Sequence, residues 1–149
     1  MPRDFHILLV DDSASDAHLI ERALLEGGQD FRLTILRDGH AALAYLRGLK
    51  EPGVAVEGGP DLVLLDLNLP GLDGSQVVAA IKSDPALRPI PVVVLSTSGR
   101  EEDVIQTYRA GANTFIRKPD EYPRYRDLVA VLRLYWHETA MPGPRIPTE

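Results

Sequence analysis

Leu62-Val63-Leu64-Leu65-Asp66-Leu67-Asn68-Leu69-Pro70-Gly71-Leu72-Asp73-Gly74 is the stretch that decides the fold. Four apolar residues in a row, with no polar alternation, read as a strand covered on both faces, the habit of a parallel sheet. The strand stops at a carboxylate. Pro70-Gly71 and Asp73-Gly74 then supply turn chemistry before helical spacing resumes over Val77 to Lys82. The unit is a buried strand, a loop carrying an acid, and a helix.

The same unit repeats on either side. Phe5 to Val10 is a near-continuous apolar run that ends in Asp11-Asp12. Ser13 follows as an N-cap, with Asp16 three residues on as a capping-box variant and Ala17, Ile20 and Leu24 as a helical stripe ended by Gly27-Gly28. Phe31 to Leu36 reads as a second strand. Asp38 caps a helix carrying Ala42, Tyr45, Leu46 and Leu49, and Lys50 to Pro60 reads as a loop. Downstream, Asp84-Pro85 breaks the chain before a β-branched strand, Pro91 to Leu95. Glu101-Glu102-Asp103 places negative charge where a helix N-terminus favours it. Thr114 to Ile116 is a short fifth strand, and Arg124 to Glu138 a last helix. Five such units predict an α/β fold: a doubly wound, five-stranded parallel sheet with helices on both faces.

Composition narrows the function classes. The 149 residues are 44% hydrophobic and 26% charged, which suits one globular domain. The absence of cysteine removes disulfides, thiolate catalysis and cysteine-based zinc sites. A net charge of −6 with no basic face argues against direct nucleic-acid binding. No apolar run is long enough for a membrane span or a secretory signal, so a cytoplasmic location with no membrane partner is expected.

In open α/β sheets, ligands bind beyond the carboxyl ends of the strands at the point where strand order switches. Those ends carry Asp11-Asp12, Asp66, Ser96-Thr97 and Lys118-Pro119. Each has a plain reading alone, as a helix cap, a turn starter or a loop dipeptide. Together they make a rim of three carboxylates, a hydroxyl and an ammonium. Carboxylates so close repel one another unless a cation intervenes, and Mg²⁺ with oxygen ligands meets that need. Asp66 is then placed to attack phosphorus, with Ser96 and Lys118 as partners for the remaining phosphoryl oxygens.

The order and spacing of these residues over Phe5 to Glu138 resemble the receiver domains of bacterial response regulators, whose fold is flavodoxin-like. The run from Leu64 to Gly74 looks like that family's phosphoacceptor stretch. The resemblance implies Asp66 as the phosphorylated residue. It implies Mg²⁺ on Asp12, Asp66 and the backbone carbonyl of Asn68, with Asp11 acting largely through water. Ser96 would be the switch hydroxyl, Lys118 the phosphoryl-binding lysine, Lys118-Pro119 a peptide often cis, and Gly74 the tight turn opening the third helix. Two features depart from the family. Thr97 stands where Ala or Gly is usual and should narrow access to the phosphoryl group. Phe115, at the switch-aromatic position, has no hydroxyl. The stretch Ile81 to Pro91, Leu95-Ser96-Thr97-Ser98, the long loop before the third strand and the pair Tyr135-Trp136 resemble the single-domain regulators that partner phytochrome-type histidine kinases.

That resemblance implies a receiver domain over 1–140, a Pro-rich mobile tail over 141–149 and no effector domain. The chain would be a two-component regulator that catalyses only its own aspartyl phosphorylation and dephosphorylation. Its partner would be a sensor histidine kinase, phytochrome-type by the narrower resemblance, or a phosphotransfer protein. A haloacid-dehalogenase-type phosphatase is the main alternative, but it needs a carboxylate where Asn68 stands. A flavin carrier would find Asp11-Asp12 repelling its phosphate, and a pseudo-receiver scaffold would have no use for the full acidic set. On the last helix, Leu128, Val131, Leu132 and Tyr135 are predicted to cover the sheet. Val129, Leu134 and Trp136 then remain to form a homodimer through the fourth helix, fifth strand and fifth helix.

Overall fold

The computed structural model describes residues 5–28, 31–49 and 59–135. Ten elements alternate along it: β1 (Phe5–Val10), α1 (Ala14–Glu26), β2 (Phe31–Leu36), α2 (Gly39–Gly48), β3 (Leu62–Asp66), α3 (Gly74–Ser83), β4 (Val92–Ser96), α4 (Glu101–Ala110), β5 (Thr114–Arg117) and α5 (Tyr122–Leu132). The strands form one sheet in the order β2-β1-β3-β4-β5, every pair parallel. The chain moves one way from β1 to β2 and the other way from β3 onward. The switch point therefore lies between the carboxyl ends of β1 and β3, where Val10 is paired with Leu65.

The central strands are apolar apart from His6 and the strand-end Asp66 and Ser96, because both faces are covered. Along β1, Leu8 and Val10 face a core shared with α2 and α3, whereas Ile7 and Leu9 face one shared with α1 and α5. β3 divides in the same way, Val63 and Leu65 to one side and Leu62 and Leu64 to the other. The expected doubly wound sheet is the one observed.

The caps follow the sequence signals. Ser13 accepts from the Asp16 backbone N–H, Asp38 from that of Ala41, and Asp73 forms a full capping box with Gln76. Element ends shift by a few residues: α3 begins at Gly74 rather than Val77, and β3 and β4 each gain their terminal polar residue. Most of the expected loop from Lys50 to Pro60 lies outside the described residues, as do Trp136 and the tail 141–149.

The last helix needs a correction. It starts at Tyr122, with Pro123 in its first turn, and buries Tyr125, Val129 and Leu132. Leu128 packs at the edge of that core, while Val131 and Tyr135, expected to face the sheet, are 61% and 54% exposed. Tyr125, already inside the expected helix, is the first buried anchor, and positions four and seven beyond it define the stripe. Val129 is therefore core rather than surface.

Candidate functional site at the switch point

Asp11 and Asp12 follow β1, Asp66 ends β3, Ser96 ends β4, and Lys118 follows β5. Backbone bonds fix these ends together. Asp11 N–H donates to Leu36 O at 3.0 Å, Leu67 N–H to Leu95 O at 2.9 Å, and Lys118 N–H to Ser96 O at 2.7 Å. Gly74 brings α3 in beneath the acid, its N–H 2.8 Å from Leu67 O. A Cβ on Gly74 would lie 2.6 Å from Leu67 Cα and 2.7 Å from Asp66 O, so any side chain there pushes against backbone.

The ionic centre is Lys118. Its side chain is 4% exposed, and the ammonium lies 2.9 Å from Asp11 Oδ2, 2.9 Å from Asp16 Oδ2 and 3.3 Å from Asp66 Oδ2. Burial works against the charged form of Lys118, but the carboxylates of Asp16, Asp11 and Asp66 outweigh it and hold the ammonium above the ordinary lysine range. Burial pushes the Asp66 carboxyl up to about 6; Lys118 pulls it down, Asp11 adds to the rise, and the Asn68 N–H at 3.1 Å favours the charged form.

Asp11, Asp12 and Asp66 each offer a carboxylate oxygen, and these oxygens lie within 4.8 Å of one another. Asp11 is fully buried; its Oδ1 accepts from Ser13 N–H, while its Oδ2 is engaged by the Lys118 ion pair and by no hydrogen bond of good geometry. Asp12 is exposed at the mouth. This donor set suits a hard divalent ion: all oxygen, highly charged, open on one side for water. The side chain of Ser96 is buried and accepts from Ser98 N–H at 3.0 Å.

All the residues expected on the rim therefore come together at one end of the sheet. Thr97 is exposed there, lining a groove of about 1010 Å³ with Lys118, Pro119, Arg124 and Val131. Phe115 is half-buried against the core on the α3 side, and its N–H donates to Tyr108 Oη at 3.0 Å. The Lys118–Pro119 peptide is trans, as are all peptides among the described residues, contrary to the form expected from the resemblance. Two participants escaped the sequence reading. Tyr108 gave no local signal. Asp16 was read as part of a cap, but its carboxylate reaches Lys118, 102 positions away, and no local pattern encodes that contact.

Comparison with known proteins agrees with this geometry. The model of the response regulator receiver domain matches residues 7–130. Response regulator Rcp1 of Synechocystis sp. is 43% identical over 133 residues, 89% of each chain. The probable methanogenesis regulatory protein FilR2 of Methanothrix harundinacea is 41% identical over 94% of this chain and 89% of its own length. The crystal structure of the phosphorylated cyanobacterial phytochrome response regulator RcpA superposes with a TM-score of 0.85 at 41% identity, covering 95% of this chain and 99% of that one. The Mn²⁺-bound form of Rcp1 superposes at 0.82 with 40% identity, covering 96% and 100%. The acidic switch point, the five-stranded order and these matches have one common account: the chain belongs to the response regulator receiver domain family.

Proposed function

We propose that Asp66 is the phosphoacceptor of this receiver domain, and that Asp11, Asp12, Asp66 and the Asn68 carbonyl hold the Mg²⁺ it uses. The observation that carries this reading is the buried ammonium of Lys118 set 3.3 Å from the strand-end carboxylate of Asp66, beside two further acids. The bound cation would offset negative charge on the carboxylates and on the incoming phosphoryl group. An Asp66 carboxylate oxygen attacks phosphorus, the bond from phosphorus to the donor's imidazole nitrogen breaks, and the imidazole leaves. Lys118 and the Ser96 hydroxyl serve the phosphoryl oxygens, and the move of Lys118 from carboxylate to phosphoryl group links the site to the loop after β5. The chain's only chemistry is then on itself. Asn68, two residues beyond Asp66, is an amide too weakly acidic to protonate a leaving group, which disfavours an ester phosphatase.

The donor in this reading is a sensor histidine kinase or a phosphotransfer protein. The match to RcpA over nearly both full lengths supports a phytochrome-type kinase. No helix among the described residues is long and apolar enough to cross a membrane. The chain pairs with its own copy through α4, β5 and α5. Ile105, Tyr108 and Val131 are exposed on α4 and α5, and Arg117, Arg124, Asp120 and Asp127 offer both signs of charge around them.

Incubation with acetyl phosphate and Mg²⁺ tests the core of the reading. One stable phosphoryl per chain is expected in the wild type and none in Asp66→Asn. Labelling of the variant at the wild-type level, or steady release of phosphate from model esters, would overturn it.

A further inference from the structure

Asp16 lies on the first turn of α1, outside the group formed by Asp11, Asp12 and Asp66. Its backbone N–H goes to the Ser13 cap, which leaves the carboxylate free to reach Lys118. An ammonium has three N–H donors. Around Lys118 stand three carboxylates, Asp11 and Asp16 at 2.9 Å and Asp66 at 3.3 Å. The contact to Asp16 is a hydrogen bond, the one to Asp11 is an ion pair without hydrogen-bond geometry, and the longest is the one to the phosphoacceptor.

The three partners differ in what else they face. A divalent ion on Asp11, Asp12 and Asp66 would offset the first and last of the ammonium's partners. It would leave Asp16 untouched, with 28% of its side chain exposed and Lys118 as its cation. With the ion bound, Asp16 would be the one partner of the ammonium with no other cation to share. An incoming anion meets a cation that is already paired.

We propose that Asp16 is a positioning residue that holds Lys118 and competes with the phosphoryl group for its ammonium, so that the phosphorylated state forms against a standing ion pair. The inference rests on the assignment of Asp66 and Lys118 given above. A tie that merely joined α1 to β5 would cost stability when cut and leave anion affinity unchanged. A competitor, when removed, raises it.

The test is calorimetric titration of beryllofluoride in the presence of Mg²⁺, a stable stand-in for the phosphoryl group. Asp16→Asn keeps an oxygen acceptor but loses the charge, and is expected to bind about three- to tenfold tighter than the wild type. Asp16→Glu restores the charge and should return toward the wild-type affinity. Glu121→Gln removes an exposed charge in the same loop as Lys118 and should change nothing. Should Asp16→Asn fail to fold, Asp16→Ser carries the same expectation. Equal or weaker binding by the charge-removed variant overturns the inference, as does an equal gain in Glu121→Gln, which would reveal a general field rather than a hold on Lys118. Failure of the wild type to bind beryllofluoride would overturn the assignment of Asp66 and the inference together; wild-type binding with no gain overturns the inference alone.

Discussion

Asp66 is pulled in opposite directions by burial and Asp11 on one side and by Lys118 on the other, and burial prevails, which sets its carboxyl at about 6 against an ordinary 3.8. A folded state that holds a proton more tightly than the unfolded chain is favoured by acid. The contribution of Asp66 to stability is full below about 3.8 and is lost as pH rises through about 6. Metal-free Asp66→Asn is therefore expected to be more stable than the metal-free wild type at pH 8, because the amide carries no buried charge. The difference should shrink toward pH 5, where the wild-type carboxyl is protonated, and Mg²⁺ should narrow it at pH 8 by stabilising only the wild type. Denaturant titrations at the two pH values, with chelator and with Mg²⁺, check this. A gap that widens toward acid would show that burial does not govern the site. Alone, a strand-end acid before turn residues reads equally well as a turn starter. The place of Asp66 at the switch point was legible in the sequence only because Asp11-Asp12, Ser96 and Lys118 stand at the other strand ends. The role of Asp16 was not, since Ser13-x-x-Asp16 fits a helix cap equally well and only the fold brings α1 to the loop after β5.

At the scale of the element, α5 shows what a period alone leaves open. Apolar residues are spread around the helix, so several stripes fit a 3.6-residue repeat, and the choice depends on which face meets α1 and the sheet. Pro123 stands in the first turn, and Tyr125, Val129 and Leu132 are the face buried in that core. Val129→Ala is expected to destabilise the protein by about 2 kcal/mol through lost apolar contact and a residual cavity. Val131→Ala, at a position 61% exposed, should stay within about 0.5 kcal/mol of the wild type. Equilibrium unfolding of the two variants separates the stripes, and the reverse order would restore the phase first read from the sequence. The strands were easier to read because a side chain in a sheet buried on both faces has no phase to mistake: Phe5–Val10 and Leu62–Asp66 stand almost where the apolar runs put them.

Taken as a whole, the molecule faces outward with a sheet edge at β5 and apolar side chains on the helices beside it. Tyr108 reaches from α4 to accept the N–H of Phe115, so part of that edge is already hydrogen-bonded within the chain. Pairing of two copies there would rest on side chains rather than on strand addition. Ile105, Tyr108 and Val131 are the exposed apolar groups of α4 and α5, with Leu134 and Tyr135 just beyond the end of α5. Acids and arginines are interspersed among them, and a two-fold axis brings each sign opposite the other. Burying this surface in a homodimer would remove the exposed patch without a basic or acidic face left over. Sedimentation at tens of micromolar is expected to show a dimer, and Val131→Glu with Leu134→Glu should return it to a monomer with the fold intact, since both positions are exposed. A monomeric wild type, phosphorylated or not, would refute self-pairing. A dimer that survives both charges would place the interface on another face of the molecule.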